Sequence, residues 1–194
     1  MRLVSVDPAN DSDLPPGQHA TTEFPVESTE TPPRVRRGEW TLTIAVGARV
    51  LRTWDWRAFR GLPHERFSVD LHSVLGWSKL ATDWEGVPVQ VLLADLEAEA
   101  EFARIDTYGD YTTNLPLEDL LEMPTWIADS YQGQPIAADH GGPARLLVPH
   151  LYLWKSAKWI RAISLTDHDQ PGTRERGGLH NYGDPWRQQR YRDD

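Results

Sequence analysis

The residues best suited to chemistry lie between positions 140 and 158, in the run HGGPARLLVPHLYLWKSAK. A glycine pair precedes Arg145 at the start of an apolar stretch, and Lys155, Ser156 and Lys158 follow that stretch. Arginine offers a bidentate fork and lysine a point charge, while glycine lets the backbone approach an anion without a Cβ in the way. The spacing favours a phosphate-binding pocket. The structural alternative is a tight turn followed by solvated lysines.

The overall charge of the chain makes this cationic run distinctive. The 194 residues include 20 Lys and Arg against 29 Asp and Glu, a formal net charge of −9. An acidic surface repels phosphate backbones, so no nucleic-acid partner is expected. The absence of cysteine excludes disulfides, thiolate-held clusters and cysteine nucleophiles. No apolar run reaches the roughly 18 residues of a membrane span and no apolar signal core is seen, which predicts a cytoplasmic protein.

A second candidate for chemistry is Ser73, which follows His72 at the end of an alternating segment. Phe67, Val69 and Leu71 share a face with Ser73, so its hydroxyl is predicted to point where the core residues point. No GxSxG motif surrounds this serine, and no Asp–His pair stands at a triad-like spacing. A hydrolase is therefore disfavoured relative to a buried hydroxyl that bonds to the backbone.

The elements that must position these residues are mainly strands. Period-2 alternation predicts strands from Trp40 to Val46, over EFARIDT (101–107), and over KWIRAISL, with Trp159, Arg161, Ile163 and Leu165 on one face. Short helices are predicted with Thr53 as N-cap, from Pro88 through Glu97, and after Pro116. Strands outnumber helices without regular alternation, so the fold class is α+β with a β-rich core.

The chain is predicted to form one domain with two extended ends. Residues 1–38 contain six prolines and form an N-terminal arm, in which Leu14, Phe24 and Val26 dock. Residues 39–166 form the core. Residues 167–194 form a polar tail that wraps the surface and is held by Trp186 and Tyr191.

Eight blocks spread over nearly the whole chain carry a family resemblance. They are LPPGQ (14–18), FPV (24–26), DLHSVLGWS (70–78), DWEGVP (83–88), YTTNLPLEDLL (111–121), HGGPARLLVP (140–149), LYLWKSAKWIR (151–161) and HNYGDPW (180–186). Together they resemble the small single-domain bacterial members of the sulfite oxidase-like, molybdopterin-dependent oxidoreductase family. The HGGP…R…WKSAKW spacing is the most specific part of the resemblance.

The resemblance implies a cofactor and the residues that bind it. In that family one pyranopterin holds a single molybdenum through two dithiolene sulfurs and the protein adds one thiolate, in a β-rich mixed fold without a Rossmann signature. The residues implied to bind the cofactor are His72, Thr107, His140, Arg145, Lys155, Ser156, Ala157 and Lys158. Ser73 stands where the family has its cysteine ligand, which makes it the candidate metal ligand and catalytic residue.

Two departures from the family pattern bear on activity. A hydroxyl is harder to ionise than a thiol and binds as a hard alkoxide, so ligation by Ser73 would change the reduction potential of the metal. Residues 27–31, Glu-Ser-Thr-Glu-Thr, replace a Leu-His pair that related sequences carry beside the cofactor. An acid there would oppose cofactor binding if it faced the pterin phosphate.

The sequence therefore predicts a molybdopterin-dependent oxidoreductase that transfers an oxygen atom to or from a small sulfur- or nitrogen-containing substrate. The chain has no CxxCH motif, no cluster cysteines and no nucleotide fingerprint, so a separate electron-transfer partner is expected. The alternative is a catalytically degenerate member that carries the cofactor, or binds a ligand or a protein, in a tryptophan-rich cleft.

Overall fold

A computed structural model of the chain describes residues 14–28, 30–96 and 99–194. Over these residues the elements follow one another as β1 (His19–Ala20), β2 (Thr41–Val46), β3 (Arg49–Asp55), α1 (Trp56–Arg60), β4 (Glu65–His72), β5 (Trp77–Pro88), α2 (Val89–Leu93), β6 (Phe102–Thr107), β7 (Thr112–Pro116), α3 (Leu117–Glu122), β8 (Trp126–Tyr131), β9 (Gln134–Pro135), β10 (Arg145–Leu147), β11 (Ile160–Thr166) and α4 (Thr173–Arg176). Two 3-10 turns lie at Ala138–His140 and Leu153–Lys155. The predicted β-rich α+β class is confirmed.

The strands form two mixed sheets. In the six-stranded sheet β1, β5, β8 and β10 lie side by side, while β4 pairs with β5 and β9 pairs with β8. The five-stranded sheet has the order β3-β2-β11-β6-β7. The parallel pairs, β1 with β5 and β2 with β11, join segments that are far apart in the sequence. The sheets therefore bring parts of the arm, the centre of the chain and its last strand into one structure.

The larger hydrophobic cluster draws on both sheets. Ile44 of β2 and Ile105 of β6 belong to the same cluster as Val87 of β5. A smaller cluster is built around Leu71, Trp84, Ala128, Ile136 and Leu147. Strand β10 is fully buried and sends Leu146 to the larger cluster and Leu147 to the smaller one. This packing fixes the strand that begins with Arg145.

Two helices differ from their predicted bounds. Asp55 caps α1, because its carboxylate accepts the N–H of Ala58 at 2.7 Å and so satisfies an open donor of the first turn. Thr53, the predicted cap, lies within β3 instead. α2 ends at Leu93, where the chain becomes extended, and residues 97 and 98 lie outside the described residues. None of the described helices is long and apolar enough to cross a membrane.

Strand β11 departs from the predicted alternation at its start. Ile163 and Leu165 are buried as predicted, but Arg161 is exposed and Ile160 takes the buried position. A bulge between Ile160 and Ala162 in the pairing with β6 shifts the register. Such an extra residue moves the following side chains to the opposite face of the strand. Arg161 therefore lies away from the interior.

The N-terminal arm contacts the domain at two of its three predicted apolar positions. Leu14 is buried, and Phe24 packs against the smaller cluster. Val26 is 50% exposed and does not dock, contrary to the prediction. Residues 1–13 of the predicted arm lie outside the described residues.

The C-terminal tail is held by polar contacts. The prediction that Trp186 and Tyr191 hold it is wrong, since they are 54% and 60% exposed. Arg190 instead donates to the carbonyl of Val74 at 2.7 Å, and Glu175 forms a buried ion pair with a lysine of the core. The tail offers few apolar residues, so hydrogen bonds and charge supply its attachment.

Candidate functional site

A pocket opens where the arm, the turn between β4 and β5, and the segments before β10 and β11 meet. Its volume is about 740 Å³ when counted out to its open mouth and including the solvent-filled entrance. The predicted site residues that line it are Ser73, His140, Arg145, Ser156, Ala157 and Lys158. Side chains separated by more than 80 positions in the sequence are therefore brought to one pocket.

Arg145 is the central cation of the pocket. Its Nη1 donates to the carbonyl of His140 at 2.9 Å and its Nη2 to the carbonyl of Ser156 at 2.8 Å. Its Nε is buried and has no hydrogen-bond partner among the described residues. Burial lowers the pKa of Arg145 to about 10. The guanidinium is thus held by neutral groups, and its Nε is a nitrogen whose N–H has no partner in the described part of the chain.

Lys158 adds a second positive charge. Its Nζ donates to the carbonyls of Glu27 and Asp139, each at 2.7 Å. Burial, and secondly the charge of Arg145, lowers the pKa of Lys158 to about 8. No carboxylate in the described part of the chain lies within ion-pairing distance of either cation. We call Arg145, Lys158 and the adjoining His140 the cationic wall.

His140 completes the cationic wall. Its ring stacks on Phe24 of the arm, with centroids 4.3 Å apart, and its Nδ1 is buried without a partner among the described residues. Burial lowers the pKa of His140, and the charges of Arg145 and Lys158 act in the same direction. The ring is therefore a neutral hydrogen-bonding group beside two charged ones.

The glycine pair contributes to the cationic wall through close backbone packing, which the sequence did not predict. The N–H groups of Gly141 and Gly142 bind the carbonyls of two preceding alanines, so they are not available to an anion. Gly141 has a φ of +106°, and a Cβ there would lie 3.0 Å from Cα of Lys158. A Cβ at Gly142 would lie 2.1 Å from the carbonyl of Ile136. The glycines thus permit close backbone packing that places Lys158 beside Arg145.

Ser156 and Ala157 form the floor next to the wall. The hydroxyl of Ser156 accepts the N–H of Val148 at 2.9 Å, and no acceptor among the described residues takes its proton. Ala157 is buried, and its backbone is engaged with Lys155 and Leu146. Ser156 therefore keeps one donor for a ligand, and Ala157 leaves space for it.

The opposite side of the pocket is built around Ser73, which is fully buried. Its N–H donates to the carbonyl of Trp77 at 2.8 Å, across the turn between β4 and β5. Its hydroxyl donates to Oε1 of Glu27 at 2.9 Å, and Nε1 of Trp77 donates to the same oxygen at 2.6 Å. The acid of the arm thus faces Ser73 and Trp77.

Three predicted site residues do not line the pocket. Lys155 is fully buried and forms an ion pair of 2.7 Å with Glu175. The hydroxyl of Thr107 donates to the carbonyl of Tyr111, and Nδ1 of His72 bonds to the hydroxyl of Ser78 at 2.8 Å. Each of the three makes a hydrogen bond or an ion pair within the protein, and none of them lines the pocket.

Several lining residues were missed by the sequence analysis. They are Phe24, Glu30, Tyr111, Trp154 and Arg174, together with Glu27 in its observed position. The departure from the family pattern at residues 27–31 indicated that Glu27 was unusual. The direction of the Glu27 side chain, however, depends on how the arm crosses the pocket. The others carry no local signal because long-range packing places them.

Comparison with known proteins then decides the family. The family model for the oxidoreductase molybdopterin binding domain matches residues 28–174. The chain belongs to this molybdopterin-binding oxidoreductase family. The resemblance seen in the sequence is confirmed, and the oxidoreductase class with it.

The relatives of this molybdopterin-binding oxidoreductase differ in size. It is 39% identical over 184 residues to the uncharacterized oxidoreductase YuiH of Bacillus subtilis, covering 92% of this chain and 91% of the relative. It is 32% identical over 114 residues to the putative protein-methionine-sulfoxide reductase subunit YedZ1 of Azospira oryzae, covering 57% of this chain and 42% of that protein.

A solved structure has the same fold. The sulfane dehydrogenase SoxCD from Paracoccus pantotrophus superposes with a TM-score of 0.63 at 17% identity, covering 71% of this chain and 41% of the other. The predicted fold type is therefore confirmed.

The pocket of this oxidoreductase fits the phosphate end of the family's cofactor. A buried guanidinium with an unused Nε, next to an ammonium without a counter-ion, is suited to charge-assisted hydrogen bonds from a phosphate. Elsewhere in the pocket lining, Ser73 offers a hydroxyl oxygen, and the chain has no cysteine. Oxygen is a ligand that hard, high-valent metals accept.

The pKa of Lys158 predicts a pH-dependent affinity for anions. Sulfate keeps a constant charge between pH 7 and 9. Lys158, in contrast, changes from mostly protonated to mostly deprotonated as the pH rises through its pKa of about 8. Binding of sulfate raises this pKa, so the affinity of the cofactor-free protein is expected to fall about tenfold from pH 7 to pH 9. Isothermal titration calorimetry measures the sulfate affinity at each pH.

Two variants control this pH dependence. Lys158→Arg keeps its charge over the whole range and is expected to bind sulfate with little change between pH 7 and 9. Lys158→Met is expected to bind weakly at every pH. A wild-type affinity that is constant over the two pH units would contradict the role of Lys158.

Proposed function

We propose that this chain binds one molybdenum pyranopterin in the pocket and transfers an oxygen atom to or from a small sulfur- or nitrogen-containing substrate, with Ser73 at the metal. One observation carries the proposal: Arg145 and Lys158 hold positive charge in the pocket wall, with no carboxylate partner in the described chain. Buried charge is unfavourable unless it is neutralised. The phosphate of the cofactor is suited to neutralise it.

Each residue of the cationic wall would hold the phosphate through a particular atom. Arg145 has Nε to donate, because Nη1 and Nη2 bind carbonyls. Lys158 uses two of its three N–H bonds on carbonyls and has one to donate. Ser156 donates through its hydroxyl, and His140 offers Nδ1. When bound, the molybdenum supplies the two-electron redox step of the reaction.

Ser73 would present a fixed oxygen donor to the metal. Its N–H is bound to Trp77, and its carbonyl accepts from Nε2 of Gln18 at 3.0 Å. The first contact closes the turn between β4 and β5 and the second comes from the arm, so the backbone at Ser73 is held from two sides. A rigidly held donor keeps one geometry at the reacting end of the pocket.

A separate redox partner is part of this proposal. Oxygen transfer takes up or releases two electrons, and the chain has no cysteine and no haem-attachment motif. The relatives support a sulfur-containing substrate: one is described as a protein-methionine-sulfoxide reductase subunit and the structural neighbour as a sulfane dehydrogenase.

A second candidate function is ligand binding without turnover, as expected of a catalytically degenerate member of the family. The hydrogen bond between Ser73 and Glu27 favours it, because the hydroxyl that would meet the metal already has a partner inside the protein. Metal and pterin content separate the first candidate from a cofactor-free binding protein, and turnover separates it from a member that carries the cofactor without reacting.

The first test is the cofactor content of protein made in a molybdenum-replete host. We expect about one molybdenum per chain by elemental analysis and the fluorescence of oxidised pterin after denaturation. Ser73→Cys is expected to slow the loss of molybdenum severalfold during prolonged dialysis against a chelator, since a thiol ionises near pH 8.5 and a hydroxyl does not.

Ser78→Cys is the matched control for that substitution. Ser78 is also fully buried and lies on the adjacent strand, but its hydroxyl bonds to His72 and Gln18 and not to Glu27. It is expected to lose molybdenum at the wild-type rate. Equal rates of loss in wild type and Ser73→Cys would show that residue 73 does not contact the metal, and absence of both pterin and metal would favour the second candidate.

A further inference from the structure

We infer that Glu27 selects the charge of the substrate: the Ser73 end of the pocket takes neutral or cationic oxygen-transfer substrates and rejects anionic oxyanions. The inference rests on the proposed function, because it takes Ser73 to mark the reacting end. It concerns Glu27, the acid of the arm, which makes none of the proposed contacts to the cofactor.

Glu27 is held in one position by three contacts. Ser73 Oγ and Trp77 Nε1 both donate to its Oε1, at 2.9 and 2.6 Å. Lys158 Nζ donates to its backbone carbonyl at 2.7 Å. No described residue donates to Oε2, which is therefore left with its lone pairs toward solvent or a ligand. Oε1 thus accepts two hydrogen bonds, and Oε2 accepts none from the described residues.

Charges of both signs line the pocket, and Lys158 of the cationic wall lies beside the backbone of Glu27. The cationic wall lies at the Arg145 end, and two acids of the arm, Glu27 and Glu30, line the pocket as well. Glu30 accepts the N–H of Asp110 through Oε2 at 2.8 Å, and its Oε1 is buried without a partner among the described residues. Once a phosphate neutralises the cationic wall, the acids of the arm dominate the field that a substrate meets.

An anionic substrate beside Ser73 would lie close to the Glu27 carboxylate. At a few ångströms, repulsion between like charges near a protein surface corresponds to a loss of affinity of about tenfold or more. A neutral sulfoxide or N-oxide loses nothing, and a cation gains. The negative charge of Glu27 therefore separates neutral and cationic substrates, which bind, from anionic substrates, which are repelled.

The aromatic residues around Glu27 suit the same substrates. Phe24 and Trp77 both line the pocket and pack edge to face, with centroids 6.3 Å apart. Aromatic faces and edges bind methyl groups, thioether sulfur and alkylated cations favourably. A small sulfoxide or N-oxide with alkyl substituents would meet them beside Ser73.

The reaction of such a substrate balances with the proposed redox partner. For a sulfoxide, the S–O bond breaks, the sulfur gains two electrons and becomes a sulfide, and the oxygen leaves as water after taking two protons. A protein electron donor supplies the two electrons, and solvent supplies the protons. The same balance, with nitrogen in place of sulfur, holds for an N-oxide.

Three tetrahedral sulfur compounds of different charge test the inference. Inorganic sulfate, dimethyl sulfone and trimethylsulfoxonium are titrated into pterin-loaded protein by calorimetry, so that the phosphate end is occupied and binding is read without turnover. We expect wild type to bind sulfate at least about tenfold more weakly than the sulfone, and the sulfoxonium at least as well as the sulfone.

Glu27→Gln removes the charge and keeps an oxygen that accepts from Ser73 and Trp77. We expect its sulfate affinity to rise about tenfold, its sulfoxonium affinity to fall and its sulfone affinity to stay within about twofold. Glu23→Gln, an exposed residue of the same arm, is the control and is expected to bind all three like wild type.

The outcomes separate this inference from the proposed function. Equal sulfate affinities in pterin-loaded wild type and Glu27→Gln would overturn the inference and leave the proposed function standing. Protein that never retains pterin would defeat the proposed function, and the inference would fall with it.

Discussion

Arg145→Met is expected to lower pterin retention by about 100-fold while the cofactor-free protein stays folded. A charge-assisted hydrogen bond to a buried anion contributes about 1.5–3 kcal/mol, and the substitution also removes one of the two uncompensated charges of the cationic wall. Retention is measured as pterin fluorescence per chain after gel filtration, and folding as the free energy of unfolding in urea.

The stability of the cofactor-free variant follows from the burial of Arg145. The lowered pKa, about 10, corresponds to an unfavourable free energy of about 3 kcal/mol for keeping the guanidinium charged in the folded chain. At pH 7 Arg145 is protonated in both folded and unfolded chains, so this penalty is present in full and is relieved only as the pH rises above about 10.

Methionine removes that penalty but leaves two carbonyls without their donor. The carbonyls of His140 and Ser156 lose the Nη hydrogen bonds, a loss of about 1–3 kcal/mol each for groups this buried. The two effects oppose each other, so the net change in unfolding free energy is expected to lie between a gain of about 1 kcal/mol and a loss of about 3 kcal/mol.

Arg161→Met is the control for Arg145→Met, because Arg161 is exposed on β11 and lies away from the pocket. It is expected to retain pterin like wild type. Retention of pterin by Arg145→Met would show that the cationic wall does not hold the phosphate. Global unfolding of cofactor-free Arg145→Met would show that the arginine has mainly a structural role.

The cations of the 140–158 run show how far the sequence could predict the site. Charge type and spacing predicted a cationic pocket, and the structure places Arg145 and Lys158 in its wall. The same reasoning grouped Lys155 with them, yet its side chain is turned to the opposite side and pairs with Glu175. The partner stands 20 positions further along the chain, in a tail whose path has no local signal.

For Ser73, too, the sequence predicted the burial of the side chain but not its contacts. Alternation along β4 predicted that its side chain is buried, and it is. What it contacts could not be predicted, because Glu27 reaches it from an arm with almost no regular secondary structure. Strand periodicity reports which face a residue takes, whereas the arrangement of a crossing arm depends on packing between distant segments.

Regular elements were predicted best where one face is fully buried. The alternation of β6, with Ala103, Ile105 and Thr107 buried, is observed as predicted. The prediction for β11 was wrong at Arg161, since a bulge is set by the pairing with its neighbours. A register shift of one residue is enough to remove a cation from the interior.

Lys155→Met tests the structural role that the fold gives to the other buried cation. The lysine donates to both oxygens of Asn114, at 2.8 and 3.0 Å, and to the carbonyl of Asn181 at 2.6 Å. It also pairs with Glu175 at 2.7 Å. Burial lowers the pKa of Lys155, and Glu175 opposes that shift.

Removing one partner of this pair leaves a buried carboxylate without a counter-charge. Glu175 would keep the hydroxyl of Thr113 and Nε1 of Trp154 as donors to Oε1, while its Oε2 has no partner among the described residues. Breaking a buried pair in this way costs about 3–5 kcal/mol. Lys155→Met is therefore expected to lower the unfolding free energy by that amount in urea titrations.

The combination Lys155→Met with Glu175→Gln distinguishes charge from packing. The double variant has no uncompensated charge and is expected to recover about half of the lost stability, since replacing a whole buried pair is less costly than breaking it. Lys79→Met, which removes a partly exposed lysine with one backbone contact, is expected to change stability by less than about 1 kcal/mol. If the double variant is no more stable than Lys155→Met, the charge of Glu175 is not what the lysine neutralises, and the pair does not attach the tail.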